Sequence, residues 1–411
     1  MASVGFEGVT KVFSEGVIAV QDLDLEVQDG EMLVLFGPSG CGKTTCLRLL
    51  AGLEQPTRGH VRLGGRVMTH VPPRDRDVAL VFQQAAVYPH LDVRANLAFG
   101  LKLRYGGLLS RLWRRWSGSR ASLGGTARGP GVDRRVEETA WVLGIGQLLD
   151  RMPWQLSGGE RQRVALGRAL VRQPAVFLFD EPISSLEEGL RVELRRRVCR
   201  VLQQLRATAI WVTHDPWEAL SLGDRIAVMG GGRIHQVGSP QEVFDFPCSR
   251  FVAGVVGRPA MNFLRGELSE EGSGWRFRGC GADALIPGDR FCCPRQGLEV
   301  ELGVRPDQVA VRAGRVACGL PLAANAVAAG CGVVVGDELL GDGWLVRVEL
   351  DSSGEALGKV ELACRVSRSM RLPRGELVTV GWAPAEVHLF GALTGESLRR
   401  LGGRLADGLG R

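Results

Sequence analysis

Lysine is scarce in this chain of 411 residues, and arginine carries nearly all of the positive charge. The lysines are Lys11, Lys43, Lys102 and Lys359. A lysine ammonium is a compact charge that reaches between phosphate groups, where a planar guanidinium fits poorly. Lys43 is therefore informative, because it lies in a Gly-rich stretch where that chemistry would be needed.

Other absences exclude several classes of protein. The ten cysteines contain no C-x-x-C pair, and the adjacent Cys292 and Cys293 cannot supply a usual zinc site, so we expect reduced cytosolic thiols. The start lacks a basic segment followed by an apolar core, so we expect no signal peptide. Residues 317–336 carry no charge, but Pro321, Asn325 and weak hydrophobicity favour a buried strand and loop over a membrane span. The net charge of +6 is mild, and no basic-aromatic groove pattern indicates nucleic-acid binding.

Three short motifs, in this order, carry most of the functional information. Residues 37–44, Gly-Pro-Ser-Gly-Cys-Gly-Lys-Thr, fit G-x-x-x-x-G-K-[ST], a loop whose backbone N–H groups cradle phosphates. Residues 156–163, Leu-Ser-Gly-Gly-Glu-Arg-Gln-Arg, open a helix with a glycine pair. Residues 177–182, Phe-Leu-Phe-Asp-Glu-Pro, form an apolar strand that ends in two carboxylates. Together these motifs predict a protein that binds ATP with Mg²⁺ and hydrolyses it.

The pattern around the motifs predicts a mostly parallel α/β sheet. A buried strand at 31–36 leads into the Gly-rich loop, and the helix that follows is stopped by Gly52, which places a helix N-terminus under the phosphates. Further strands at 78–82, 175–179 and 208–213 alternate with helices. Ligands bind at the carboxyl ends of such strands, where we find Gly37, Gln83, Asp180 and His214.

Composition divides the chain into regions. We expect a nucleotide-binding domain over 1–237, an all-β, barrel-like domain over 238–395 and a loose, Gly- and Arg-rich tail over 396–411. Residues 106–130 interrupt the first domain with glycines, arginines, Trp113 and Trp116. This basic insertion is either a solvated disordered loop or a contact with anionic lipid.

At this point the residues resemble the ATPases of ABC transporters. The Walker A motif is 37–44, Walker B is 176–181, and 156–160 matches the ABC signature. The stretches 81–91 and 211–219 resemble the Q-loop and the switch-histidine segment of the family. Further along, 250–254, 257–263 and 302–307 resemble the importer branch that carries a C-terminal regulatory OB-like domain, as in maltose-type, other sugar and glycerol-phosphate importers. The resemblance covers about residues 1–395 apart from the insertion.

The resemblance implies a role for each motif residue. Thr44 and Gln83 would coordinate Mg²⁺, and Asp180 would hold it through water. Glu181 would orient or deprotonate the attacking water, and His214 would sense the γ-phosphate. Phe13 would stack on adenine, although a phenylalanine is as readily a core residue. The phosphates would be held by Lys43 and by the loop residues Gly37, Pro38, Ser39, Gly40, Cys41, Gly42 and Thr45.

The signature segment implies a second copy of the chain. The resemblance implies that Ser157 and Gly159 contact the γ-phosphate of ATP bound to the opposite subunit, and that Gly158 and Glu160 belong to the same nucleotide-binding segment. Ser157 and Glu160 also fit a capping box, and capping of the helix N-terminus alone would explain both residues. The resemblance therefore implies a homodimer at the cytoplasmic face of the plasma membrane, with two transmembrane permease subunits docked beside the Q-loop and an indirect link to an extracytoplasmic solute-binding protein.

Several functions stay open at this stage. The leading hypothesis is the ATP-hydrolysing subunit of an importer for a hydrophilic solute, with carbohydrate as the first candidate and polyamine, iron or sulfate as alternatives. A soluble ABC ATPase that acts on DNA or ribosomes is disfavoured, because the chain has one cassette and no heptads between Walker A and the signature. A third hypothesis gives the C-terminal β domain the main role, as a module that binds a regulator or an oligosaccharide.

The segment after Walker B departs from the family pattern. Residues 184–187 read Ser-Ser-Leu-Glu, whereas the family usually ends this segment in aspartate. The extra methylene of Glu187 puts in doubt the contact between subunits that couples the two ATP sites.

We expect the chain to hydrolyse ATP more slowly or less cooperatively than its Glu187→Asp variant. ATPase rates and Hill slopes of the two forms test this expectation, and equal values would contradict it.

Overall fold

The structure is a computed structural model that describes residues 1–399, except 15, 106–129, 273, 292–296, 324, 342 and 352–359. The chain divides into two compact units, Met1–Pro240 and Gln241–Arg411. The Cys292-Cys293 pair and the expected insertion at 106–130, except for its last residue, lie outside the described residues. Among the described residues, no helix combines the length and the apolar character needed to cross a lipid bilayer.

The first unit alternates strands and helices along most of its length. Its strands are β1 (Val4–Val12), β2 (Ile18–Val27), β3 (Met32–Phe36), β4 (Arg58–Leu63), β5 (Arg66–Val67), β6 (Val78–Val81), β7 (Val176–Asp180), β8 (Thr208–Thr213), β9 (Arg225–Gly230) and β10 (Arg233–Gly238). Its helices are α1 (Lys43–Ala51), α2 (Val93–Tyr105), α3 (Pro130–Val142), α4 (Gly158–Arg172), α5 (Glu188–Gln204) and α6 (Pro216–Leu222).

A six-stranded sheet positions the motifs. Its order is β10-β9-β3-β8-β7-β6, and all neighbours from β9 to β6 are parallel. The strands β3, β7 and β8 are buried at every residue, as expected of a parallel sheet covered on both faces. Parallel strands end at one edge, so the residues that follow β3, β6, β7 and β8 lie near one another.

A second, antiparallel sheet has the order β2-β1-β4-β5. The turn between β4 and β5 consists of Gly64 and Gly65, with φ of 54° and 76°. A glycine pair adopts positive φ without steric cost, which is why this dipeptide predicts a hairpin. The glycine pair therefore forms the turn of the hairpin between β4 and β5.

The second unit is built mainly of antiparallel strands. Two short helices, α7 (Pro240–Asp245) and α8 (Arg250–Val255), lead into it. Its main sheet has the order β15-β19-β16-β13-β12-β11-β14-β20, and β17 pairs with β16 and β18. Its strands are β11 (Asn262–Glu271), β12 (Gly274–Gly279), β13 (Ala282–Pro287), β14 (Leu298–Val304), β15 (Ala310–Ala313), β16 (Val327–Leu340), β17 (Gly343–Leu350), β18 (Glu361–Ser367), β19 (Leu377–Trp382) and β20 (His388–Gly391).

The expectation of a loose tail from residue 396 is wrong at its beginning. Ser397 N donates to Cys248 O at 2.9 Å, and Leu398 N donates to Leu389 O at 2.8 Å. The side chain of Leu398 also packs against the core of the second unit. The Gly- and Arg-rich composition of this segment did not indicate that Leu398 would be packed or that its backbone would be paired. Residues 400–411 lie outside the described part of the chain.

A buried arginine fastens the C-terminal end of α1. Arg76 is only 2% exposed, and its side chain donates to five backbone carbonyls. Two of them, of Leu49 and Leu50, belong to the last turn of α1, where carbonyls have no partner within the helix. The other three belong to Met68, Thr69 and Val71. Arg76 thus joins the helix behind the Gly-rich loop to the segment that precedes β6.

We predict that Arg76→Met lowers the free energy of unfolding by about 3 kcal/mol, because buried carbonyls lose their donors. Urea denaturation measures this loss. The control is Arg74→Met, since Arg74 is exposed and pairs with its exposed neighbour Asp75 at 3.6 Å; we expect a change within about 0.5 kcal/mol. Equal losses in the two variants would contradict the role of Arg76.

Candidate active site

The Gly-rich loop runs from the end of β3 to the start of α1 and bends tightly. Gly42 has φ of 105°, and a Cβ at this residue would come within 2.2 Å of Ala19 O. Lys43 is 5% exposed, and its Nζ donates to Gly37 O at 2.8 Å and to Pro38 O at 2.7 Å. The ammonium therefore lies inside the curve of the loop, beside the free N–H groups of the helix N-terminus.

The remaining loop residues differ in exposure. Pro38, Ser39 and Gly40 are exposed at the crest of the loop, whereas Cys41 is buried, with its Sγ 3.7 Å from Lys43 Nζ. Thr45 is half-buried in the first turn of α1. The crest is therefore open to a ligand, while its base is packed against the sheet.

A hydroxyl and a carboxylate meet where β7 ends. Thr44 Oγ1 donates to Asp180 Oδ1 at 3.0 Å. Burial raises the pKa of Asp180, and the hydrogen bond from Thr44 opposes this effect. A hydroxyl oxygen beside a partly desolvated carboxylate is the kind of oxygen donor set that suits Mg²⁺, which commonly uses one or two protein oxygens together with substrate phosphates.

The next residue, Glu181, receives a hydrogen bond on each carboxylate oxygen. Gln83 Nε2 donates to Oε2 at 3.1 Å, and His214 Nδ1 lies 2.7 Å from Oε1. A carboxylate accepts only, so this geometry assigns the proton to Nδ1 of His214. Gln83 follows β6, and His214 follows β8, the two strands that flank β7. The sheet therefore brings together three residues that are far apart in the sequence.

The backbone of Glu181 is held in an uncommon conformation. Its φ is 45°, a left-handed value that is rare outside glycine and costs about 1–2 kcal/mol. Its N–H donates to Val212 O at 3.1 Å, and its carbonyl accepts from Ser184 N and Oγ. These bonds fix the direction of the side chain at the edge of the sheet.

The signature segment begins α4. Glu160 N donates to Ser157 Oγ at 3.2 Å, and Ser157 N donates to Glu160 Oε2 at 2.7 Å, so the expected capping box is present. The bond from Ser157 N is the largest cause of the lowered pKa of Glu160. Ser157 and Gly158 are exposed, and a Cβ at Gly159 would come 2.7 Å from Leu186 Cδ2. The segment thus presents a capped, exposed helix N-terminus.

Phe13 lies just beyond β1 and is half-buried. Lys11 Nζ lies 4.9 Å from the centroid of its ring and also pairs with Glu54 at 2.9 Å. One approach to the ring is therefore occupied by a cation.

Three residues not expected from the sequence, Thr213, Asp215 and Glu218, form hydrogen bonds beside His214. Asp215 caps α6 by accepting from Trp217 N at 2.8 Å and from Glu218 N at 3.3 Å. Thr213 Oγ1 donates to the buried Glu218 at 2.6 Å. The Asp-Pro pair at the helix start is a sequence signal for the cap, whereas nothing in the sequence marks Glu218 as buried.

The chain is similar in sequence to known proteins. Residues 20–184 match the family described as ABC transporter, and residues 302–390 match the family described as TOBE domain. The sn-glycerol-3-phosphate import ATP-binding protein UgpC of Burkholderia pseudomallei is 38% identical, with 96% of this chain and 99% of that protein covered. The trehalose/maltose import ATP-binding protein MalK of Thermococcus litoralis is 46% identical, with 75% and 79% covered. The sulfoquinovosyl glycerol transport ATP-binding protein SmoE of Agrobacterium fabrum is 41% identical, with 97% and 100% covered.

Proposed function

We infer the function of this chain from its family: it belongs to the ATP-binding proteins of ABC transporters. The resemblance expected from the motifs is confirmed, and so is the fold class, a P-loop ABC cassette followed by an all-β domain. The family binds ATP and hydrolyses it to power transport. We propose that this chain energises the import of a carbohydrate or a related hydrophilic solute.

The phosphates and Mg²⁺ would be held by the Gly-rich loop and its neighbours. Lys43 and the loop amides of residues 37–45 would bind the β- and γ-phosphates. Thr44 and Gln83 would provide protein oxygens for Mg²⁺, and Asp180 would hold the ion through water; the bond between Thr44 and Asp180 keeps these two side chains together. Bound Mg²⁺ would neutralise charge on the phosphates. Phe13 would receive the adenine on its free face.

Hydrolysis would depend on Glu181. Its carboxylate is oriented by Gln83 and His214, and a carboxylate fixed in this way can orient a water molecule and accept its proton. His214 is half exposed, so it can also contact the γ-phosphate beside Glu181. The position of Glu181 between these two partners is the observation that carries the proposed mechanism.

A second copy of the chain would complete each site. The exposed helix N-terminus formed by Ser157, Gly158, Gly159 and Glu160 would bind the γ-phosphate of ATP held by the partner, because a helix N-terminus favours anions. ATP would then join the two copies, and hydrolysis would release them. We place this homodimer at the cytoplasmic face of the plasma membrane, against two transmembrane permease subunits that receive solute from an extracytoplasmic binding protein.

The nature of the solute is proposed from the relatives. The three relatives are named for glycerol-3-phosphate, trehalose or maltose, and sulfoquinovosyl glycerol, which are polyhydroxylated solutes. Two of them match this chain over nearly its full length, including the second unit. This full-length likeness supports a carbohydrate-type solute over polyamine, iron or sulfate.

We predict that deleting the gene abolishes uptake of at least one carbohydrate or polyol derivative, and that the intact gene restores it. The His214→Ala variant should fail to restore uptake, and its ATPase rate should fall by about a hundredfold or more. The control is His70→Ala, since His70 is exposed and is not among the residues that we propose to hold ATP or Mg²⁺. Uptake of labelled solutes and ATPase assays measure both effects. Normal uptake of every carbohydrate tested in the deletion strain would contradict the proposal.

A further inference from the structure

Strand β6, which precedes Gln83, lies at the edge of the six-stranded sheet. The carbonyls on its outer side therefore have no neighbouring strand of this sheet to accept from. Strand β6 pairs only with β7 in that sheet. Asp77 O accepts from Ala175 N and Val176 N, so it faces β7. Backbone carbonyls alternate in direction along a strand, so those of Val78 and Phe82 face the open edge.

Helix α4 supplies donors to that edge. Three of its side chains donate to three backbone oxygens of the segment 78–86: Arg172 to Val78 at 2.7 Å, Gln162 to Phe82 at 3.1 Å, and Arg168 to Ala86. Gln162 is only 1% exposed, so its bond is made in a desolvated setting where an unpaired amide or carbonyl would be costly. The acceptors at 82 and 86 lie on either side of Gln83.

The segment after Gln83 is also fixed to the helices. The guanidinium carbon of Arg168 lies 4.3 Å from the ring centroid of Tyr88. Asn96 of α2 is fully buried; it accepts from Tyr88 N at 2.8 Å and donates to Tyr88 O at 3.1 Å. Residues 82–88 are therefore attached to α2 and α4 on the side away from β7.

We propose that Gln162 and Arg168 are positioning residues that set Gln83 against Glu181. Helix α4, which begins at the signature, and the segment that carries Gln83 would then move together. A shift of α4, such as contact of its N-terminus with the partner's nucleotide would cause, moves Gln83 relative to Glu181. This inference rests on the catalytic roles proposed above for these two residues.

The geometry makes the effect large enough to measure. The bond from Gln83 to Glu181 is 3.1 Å long, and such a bond is lost beyond about 3.5 Å. A misplacement of about 1 Å at a catalytic group can lower the rate by as much as about a hundredfold. Small changes at Gln162 therefore translate into a change of kcat.

Gln162→Met tests the link, because methionine keeps the length of the side chain and removes the donor. We expect kcat for ATP hydrolysis to fall by about tenfold or more, with little change in KM. Hydrogen exchange should speed up in the amides of residues 82–88. Arg168→Met should show the same two effects more weakly, because Arg168 is more exposed than Gln162. This variant replaces Gln162→Met in the test if Gln162→Met does not fold.

The matched control is Arg163→Met. Arg163 lies on the same helix and donates to Leu143 O and Gly144 O, away from the Gln83 segment. Its variant should speed exchange near residues 143–146 and leave exchange at 82–88 and kcat within about twofold of the original chain. If Arg163→Met changes kcat and exchange at 82–88 as much as Gln162→Met does, the effect is general loosening of α4 and the inference is wrong.

A double-mutant cycle separates this inference from the proposed function. In a Gln83→Ala background, Gln162→Met should lower kcat by less than about twofold, because its effect passes through Gln83. Equal factors with and without Gln83 would overturn the inference while leaving the proposed function intact. Conversely, a Gln83→Ala variant with unchanged kcat would overturn the proposed role of Gln83, and the kinetic part of this inference with it.

Discussion

The carboxylate of Glu181 is the point on which the rest of the site depends. It stands at the end of β7, and its two oxygens contact side chains that follow the flanking strands, Gln83 after β6 and His214 after β8. This arrangement requires three adjacent parallel strands that end at one level. The buried, apolar strands of the sheet provide that register, so the core aligns the strand ends that carry the proposed catalytic residues.

Two neighbouring carboxylates acquire different environments because β7 ends between them, with Asp180 as its last residue. Asp180 is buried and contacts Thr44 of α1, and burial raises its pKa. Glu181 emerges at the sheet edge with a left-handed backbone and two polar partners. One carboxylate is thereby suited to a cation at the phosphates, and the other to a water molecule. Two donors of α4 bond to the backbone on either side of Gln83, and the same helix begins at the segment that we propose meets a second copy.

The sequence allowed much of this arrangement to be predicted, for identifiable reasons. The Gly-rich loop, the capping box of Ser157 and the Gly64-Gly65 hairpin follow from local chemistry, which a sequence displays directly. The bonds of Arg76 and Gln162 could not be predicted, because arginine and glutamine in a polar pattern resemble surface residues. Their acceptors are backbone carbonyls that the fold brings near. Because every residue has such a carbonyl, the sequence does not indicate which ones accept these bonds. The start of the tail was misjudged for the same reason.

The most direct test of the central claim is the molecular mass of the Glu181→Gln variant with Mg²⁺ and ATP, measured by light scattering beside its ATPase rate. Glutamine keeps the shape and the hydrogen-bonding positions of this residue but removes the charge that would accept a proton. The account predicts an ATP-dependent dimer that retains its nucleotide and hydrolyses it at least about a hundredfold more slowly. A monomer in saturating ATP that hydrolyses it at the original rate would contradict the account.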